Sequence, residues 1–275
     1  MTEVAKRSGP VRDDDRLPGR IRIFRAGPLP EPWAGLSYGG ILARPGGELV
    51  NDGRSSRVHL FRDGPEACYL KRYRYRKIHW RHCFEKSQVQ REYENLTSFR
   101  QAGLACETIE ILAWGERRRG RILLDAFLLS RAVPDGVRLS LFLANEPDHP
   151  RRAAVVEQVI AFGAQLIESR LALCDLFFRN LVVVPESARL HILDLQRCSF
   201  HNPGRAARKT WPQLWADIEI FFTPRERQQA AARFRPLLTA AGLAQMVSRA
   251  RHFIPKERKR RAQEQALAAN ADNRP

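Results

Sequence analysis

The first half of the chain reads as β-strands with one helix, and the second half reads as mainly helical. Segregation of that kind confines the chain to an α+β architecture, here two lobes around a cleft rather than an alternating α/β sheet. Residues 57–62 and 67–73 read as two strands joined by the turn Asp63-Gly64-Pro65-Glu66. A helix follows over about Lys86–Ala102, stopped by Gly103. Residues 108–114 and 121–130 read as further strands around a polar turn at Glu116–Gly120, and Pro134-Asp135-Gly136 breaks the chain before a helical segment near Val137. A long helix is expected over Arg152–Ser169, then a short loop, a hairpin of strands 181–184 and 190–193, and helices at about 209–222, 224–241 and 243–251. The expected organisation is a loosely held arm (1–32), an N-lobe (33–131), a C-lobe (132–254) and a basic, polar tail (255–275).

Charge narrows the partners. The 275 residues carry 47 Lys+Arg against 30 Asp+Glu, a formal net charge of +17, which favours a polyanion or an anionic surface over an uncharged, apolar substrate. The best apolar runs are interrupted by Asp125, or by Asp175 and Arg179, so none suits a membrane-spanning helix. The N-terminus lacks the apolar stretch of a secretory signal. Five scattered cysteines without a CxxC pair suit reduced thiols, and a soluble, cytoplasmic protein is expected.

Two short stretches stand out chemically. On the helix near residue 90, Val89, Tyr93, Leu96 and Phe99 share one face; Glu92 falls within that stripe, whereas Glu94 points nearly opposite. A carboxylate on the buried side of a helix needs a partner, either a salt bridge at the stripe's edge or a lysine of the cleft. Further on, Asp175 and Asn180 stand five apart in a loop after the long helix, and the hairpin ends at Asp194, fourteen residues beyond.

This loop and hairpin resemble the protein-kinase catalytic loop D-x-x-x-x-N and the metal-binding aspartate that follows it. In that likeness Asp175 orients a substrate hydroxyl and accepts its proton, while Asn180 and Asp194 hold Mg2+, a hard ion that takes oxygen ligands. Lys71, near the end of a strand, resembles the lysine that steadies the α- and β-phosphates of ATP, and Glu92 the glutamate that pairs with it. The order Lys71, Glu92, Asp175, Asn180, Asp194 is the kinase order. Tyr69–Tyr73, the helix Arg91–Gly103 and Asp194-Leu195-Gln196-Arg197 are similar to the Kdo/WaaP family of lipopolysaccharide core kinases, with Phe127–Pro134 matching its hinge and Trp211–Phe234 its last helices. The resemblance spans roughly residues 50–240. It implies a kinase that uses ATP and Mg2+ to phosphorylate a heptose or Kdo sugar of the inner core.

The sequence departs from the protein-kinase pattern at three places. The phosphate-covering loop, Asn51-Asp52-Gly53-Arg54-Ser55-Ser56, has a single glycine, and Arg54, Ser55 and Ser56 stand where phosphate would be contacted. Leu173-Cys174 replaces His-Arg before Asp175, and Tyr69 stands two residues before the lysine, where protein kinases keep alanine. These departures keep open a kinase-fold binding scaffold at a membrane with little catalysis. The stretch Lys71–Arg81 interleaves cations with aromatics, which suits an anionic membrane face, nucleobases or a plain solvated surface. The lipopolysaccharide core, free or lipid-linked, and the anionic inner-membrane face are the leading partners; nucleic acid ranks last because no nucleic-acid module is present. His79, His82 and Cys83 lack a second ligand pair, so zinc is not expected. The run Lys256–Arg261 is open to the same three readings as Lys71–Arg81, a solvated helix end being the commonest.

Overall fold

The computed structural model describes residues 19–53, 55–62, 64, 66–75, 86–195, 198–199 and 202–272. The chain divides into two compact units, residues 1–97 with 109–132 and residues 98–108 with 133–275.

The first unit is built on a six-stranded sheet, antiparallel throughout. Its strands are β1 (Arg20–Arg25), β2 (Glu48–Asp52), β3 (Ser56–Phe61), β4 (Cys68–Arg74) and, after the short β5 (Cys106–Thr108) of the second unit, β6 (Ile111–Arg119) and β7 (Ile122–Arg131). The spatial order is β1-β6-β7-β4-β3-β2. Among the described residues two helices accompany it: α1 (Tyr38–Ala43), capped by the Ser37 hydroxyl, which accepts from the Gly40 N–H, and α2 (Gln88–Gln101).

Alternation along the strands sorts the two faces. Cys68 and Leu70 of β4 join Trp33, Tyr38, Ile41, Phe61, Phe127 and Leu129 in one buried cluster. Tyr69, Lys71 and Tyr73 must then point to the opposite face, where Lys71 and Tyr73 meet Glu92 of α2. Gly115 permits the close approach on the first face, since a Cβ there would lie 2.6 Å from the Phe127 ring and 3.1 Å from Tyr38. The Tyr38 hydroxyl donates to Asp125 at 2.5 Å, and Asp125 also pairs with Arg117. The aspartate that interrupts the apolar run of β7 is thus satisfied inside the unit.

The loosely held arm expected through residue 32 needs correction, because residues 20–25 pair with β6 over six positions and Ile21 and Leu29 are buried. The signal is the alternation Arg-Ile-Arg-Ile-Phe-Arg. Its arginines make the stretch look solvated; they are exposed, yet Arg22 reaches the buried Glu116 at 3.6 Å. The turn expected at 116–120 also shrinks: β6 runs to Arg119 and reverses at Gly120, whose φ of +60° favours glycine.

The second unit carries a four-stranded sheet in the order β5-β11-β10-β8, made with β8 (Val137–Arg138), β10 (Leu181–Val184) and β11 (Arg189–Ile192). The parallel pairing of β5 with β11 explains why residues 98–108 belong here rather than with the rest of the first half. A two-residue β9 (Ala172–Leu173) pairs with β12 (Cys198–Ser199). The longer helices among the described residues are α3 (Leu139–Asn145), α4 (Arg152–Glu168), α5 (Trp211–Phe221), α6 (Pro224–Phe234), α7 (Ala240–Ala250) and α8 (Ile254–Asp272). The single helix expected over 224–241 is broken. Pro236 supplies no N–H, and Thr239 starts a new helix by accepting from the Gly242 N–H. The tail expected from residue 255 is likewise corrected to a helix whose first turns pack on this unit, with Glu257 paired to Arg179 and Arg261 over the Phe221 ring.

Helix α4 holds the unit together. Gly163 lets it press on its neighbours, since a Cβ there would meet Phe234 at 2.7 Å and Leu214 at 2.9 Å. At its start Arg152 is buried and donates to both oxygens of Glu226 (3.0 and 3.1 Å) and to the carbonyls of Leu143 and Phe221. Glu226 in turn closes the capping box of α6 with Thr223. Removing one partner of such a buried pair leaves the other charge uncompensated. Arg152→Ala is therefore expected to destabilise the second unit by about 3–5 kcal/mol, read as a loss in chemical denaturation; an unchanged midpoint would refute this role for the arginine.

Candidate active site

In the first unit the predicted lysine and glutamate meet. Lys71 sits between Val58 of β3 and Leu128 of β7 in register, and its Nζ donates to Glu92 Oε1 and Oε2 at 3.0 and 2.9 Å. The Tyr73 hydroxyl donates to the same carboxylate, and the Lys71 ammonium lies 5.3 Å from the Tyr73 ring centroid. Glu92 is fully buried and the Lys71 side chain is 14% exposed. Glu94 instead pairs with Lys86 at 2.8 Å on the outer side of α2, so the helical phase separates the two carboxylates as expected. Two donors on one buried carboxylate compensate much of the cost of removing its charge from water.

Beside β4 lies the hairpin between β2 and β3, where the phosphate-covering segment was expected. Gly53 donates its N–H to the Ser56 carbonyl at 2.9 Å, and a Cβ on Gly53 would approach that oxygen to 3.1 Å. The Ser55 carbonyl accepts from the Arg74 N–H at 3.0 Å, which ties the turn to the lysine-bearing strand. Tyr69 is half-buried on β4, opposite Leu60 and Ser130. Arg54 lies outside the described residues, as do His79, His82, Cys83, the stretch 76–81, Gln196 and Arg197.

In the second unit the loop leaves β9 and turns at Asp175, whose φ of +68° is in the left-handed region. Aspartate is one of the few residues with a Cβ that visit it readily. The Asp175 carbonyl accepts from the Phe177 N–H at 3.0 Å and from the Asn180 side-chain amide at 2.8 Å. Leu176, Phe177 and Phe178 are buried and anchor the loop, leaving Asp175 exposed and Asn180 half-buried. The Asn180 carbonyl accepts from the Leu193 N–H at 2.9 Å, which brings the end of the hairpin, and Asp194 with it, beside Asn180. Asp175, Asn180 and Asp194 are therefore gathered in one unit, and Lys71, Glu92, Gly53, Ser55 and Ser56 in the other.

What fixes the loop was not foreseen from the sequence. Thr210, Gln213 and Asp217 lie at the start and along one side of α5, and all three are buried. The Thr210 hydroxyl accepts from the Leu173 N–H at 2.8 Å and donates to the Leu173 carbonyl at 3.0 Å. Gln213 Oε1 accepts from the Asp175 N–H at 3.1 Å, and Asp217 Oδ2 accepts from the Phe178 N–H at 2.5 Å. The stripe grips the loop backbone on both sides of Cys174, where the His-Arg pair of protein kinases is missing. The signal was available: polar residues at i, i+3 and i+7 among Trp211, Leu214, Trp215 and Ile218 stand out as Glu92 does on α2.

Mg2+ suits the residues present. Among the described residues no group of three or more His, Cys, Asp or Glu could hold a metal. An amide oxygen from Asn180 and a carboxylate from Asp194 are instead the sparse oxygen set of an ion that keeps several waters and takes phosphate oxygens as further ligands.

Burial pushes the Asp217 carboxyl up to about 8, although the bond from the Phe178 N–H favours its anion. An unfolded aspartate titrates near about 4. Between those values the folded chain holds a proton that the unfolded chain has lost, so this group's contribution to stability falls as pH rises through the window. Urea titrations from pH 4 to 8 are expected to show wild-type stability declining relative to Asp217→Asn; a difference independent of pH would contradict a protonated Asp217 in the folded state.

Comparison with known proteins follows the same lines. No curated protein matches the sequence significantly. Among solved structures, a chain described as WaaP in complex with acyl carrier protein superposes with a TM-score of 0.56 at 21% identity, covering 84% of this chain and 98% of that one. WbdD, co-crystallised with the kinase inhibitor LY294002, reaches 0.42 at 17% identity over 73% of this chain and 44% of its own, so the likeness in fold rests on the former. The model of the lipopolysaccharide kinase (Kdo/WaaP) family matches residues 46–233, well over half of the 275 residues. The chain belongs to the Kdo/WaaP lipopolysaccharide kinase family, phosphotransferases of lipopolysaccharide core sugars with a kinase-like α+β fold.

Proposed function

We propose that this chain uses ATP and Mg2+ to phosphorylate a heptose or Kdo sugar of the lipopolysaccharide inner core. The observation that carries the residue assignment is Lys71 held by the fully buried Glu92 at 2.9 Å, because a lysine so oriented is placed to steady the α- and β-phosphates. Gly53, Ser55 and Ser56, with Arg54 between them, cover the phosphates. Asn180 and Asp194 hold Mg2+, which when bound neutralises charge on the phosphate oxygens. Asp175 accepts the hydroxyl proton as the γ-phosphoryl passes from ADP to the sugar oxygen. Transfer of this kind depends chiefly on positioning and charge neutralisation, and a chain of net charge +17 suits an anionic acceptor.

The acceptor is core oligosaccharide, free or lipid-linked, met at the cytoplasmic face of the inner membrane. None of the described helices is long and apolar enough to cross a membrane, and peripheral association through basic side chains with an anionic surface fits the charge.

Labelled ATP, Mg2+ and deacylated core oligosaccharide test the reading directly. Asp175→Asn tolerates the left-handed backbone, so its loss of rate reports the carboxylate; a fall in kcat of about 10²–10⁴-fold is expected from removing a general base. Transfer by this variant at the wild-type rate would defeat the assignment. A scaffold that binds no nucleotide makes a different prediction. Mg·ATP at millimolar concentration is expected to raise the Tm of wild type but not of Lys71→Met, and the absence of any rise in wild type would favour the scaffold.

A further inference from the structure

Helix α8 meets the Asp175–Asn180 loop through two side chains on one of its faces. The Phe253 carbonyl accepts the Glu257 N–H at 3.0 Å, so the two side chains lie one helical turn apart on the same side. The Phe253 ring packs edge-on against Phe177, with centroids 6.1 Å apart. The Glu257 carboxylate pairs with Arg179, whose guanidinium lies 4.0 Å from the centroid of that same Phe177 ring. A carboxylate and an aromatic ring thus both hold one guanidinium. The Arg179 and Glu257 side chains are 14% and 16% exposed, so solvent screens the pair only weakly.

The polar stripe of α5 bonds the loop backbone at Leu173, Asp175 and Phe178 and goes no further along it. Arg179 is the centre of the next turn, Phe178–Asn180. The Asn180 side-chain amide donates back to the Asp175 carbonyl at 2.8 Å, a bond that needs this turn to keep its shape. We propose that Glu257 is a positioning residue for the metal-side end of the loop: by holding Arg179, α8 sets the turn from which Asn180 is presented. The proposal rests on the assignment of Asn180 to Mg2+ made above. It gives α8 a part in phosphoryl transfer although none of its residues touches a reactant.

Glu257→Gln keeps the size of the side chain and removes its charge. Hydrogen–deuterium exchange of the full-length chain reads the loop directly: amides of residues 176–181 are expected to exchange about tenfold faster in this variant than in wild type, with those of α4 unchanged. In the transfer assay the variant is expected to need about tenfold more Mg2+ for half-maximal rate, as when an outer partner of a metal ligand is lost, with KM for the acceptor unchanged. Arg179→Met combined with Glu257→Met separates positioning from stability. The double variant strands no buried charge, so its denaturation midpoint is expected to return toward that of wild type while loop exchange and Mg2+ demand stay raised. Should Glu257→Gln fail to fold, the double variant decides the matter by itself. Loop exchange equal to wild type, recovery of loop exchange together with stability in the double variant, or an unchanged Mg2+ demand in an active chain would overturn the proposal. A wild-type chain that transfers no phosphate would instead defeat the catalytic reading, and loop exchange would still decide whether Glu257 holds the loop.

Discussion

A carboxylate with no exposure to water keeps its charge only where donors surround it, and Glu92 is such a group. Its two oxygens take the ammonium of Lys71 and the hydroxyl of Tyr73, both from β4, so helix α2 is tied to the centre of the six-stranded sheet at one register. Neighbouring apolar contacts, such as Val89 and Leu96 on the same helix, would tolerate a small slide; a buried ion pair would not, because displacement strands one charge in an apolar setting. The pair therefore does more than add stability. It fixes the direction of the Lys71 side chain, which is the property that the proposed phosphate contact requires.

The second unit meets a comparable demand with neutral bonds. A loop that must present Asp175 to solvent while turning through a left-handed residue has few contacts of its own. Thr210, Gln213 and Asp217 supply them from α5, each bonded to the loop backbone rather than to the side chains that do the proposed chemistry. Such a frame leaves the residue at position 174 free to vary, which makes sense of Leu173-Cys174 in place of His-Arg. Desolvation of Asp217 is the cost of placing a carboxyl there, and protonation lowers that cost.

Much of this was legible in the sequence, for identifiable reasons. The strands at 56–61, 68–74, 181–184 and 189–192 announced themselves by apolar content and by turns such as the one at Gly64. Glu92 was legible because a charge within an apolar helical stripe demands an explanation. The same test applied to α5 would have found Thr210, Gln213 and Asp217, but their partners are main-chain groups of a distant loop, and a backbone donor has no signature in sequence. Strand β1 was hidden by its arginines, which are exposed although the strand pairs with β6 over all six of its positions. The break at Pro236 and the docking of α8 depended on tertiary contacts, Arg179 with Glu257 among them, that no local pattern encodes.

The ends of the six-stranded sheet carry a further consequence. Open edge strands are templates for pairing with other chains, and proteins blunt them with charge or irregularity. Strand β1 presents Arg20, Arg22 and Arg25 in exposed positions, while β2 carries Glu48 and Asp52 and shifts register between Leu49 and Asn51. Like edges thus repel one another. Behind β1 lies β6, paired with it over Ala113–Arg118; stripping away residues 20–25 would leave the N–H and C=O groups of that stretch unpaired and open to another chain. The arginine-rich segment is a guard on the sheet as well as part of it.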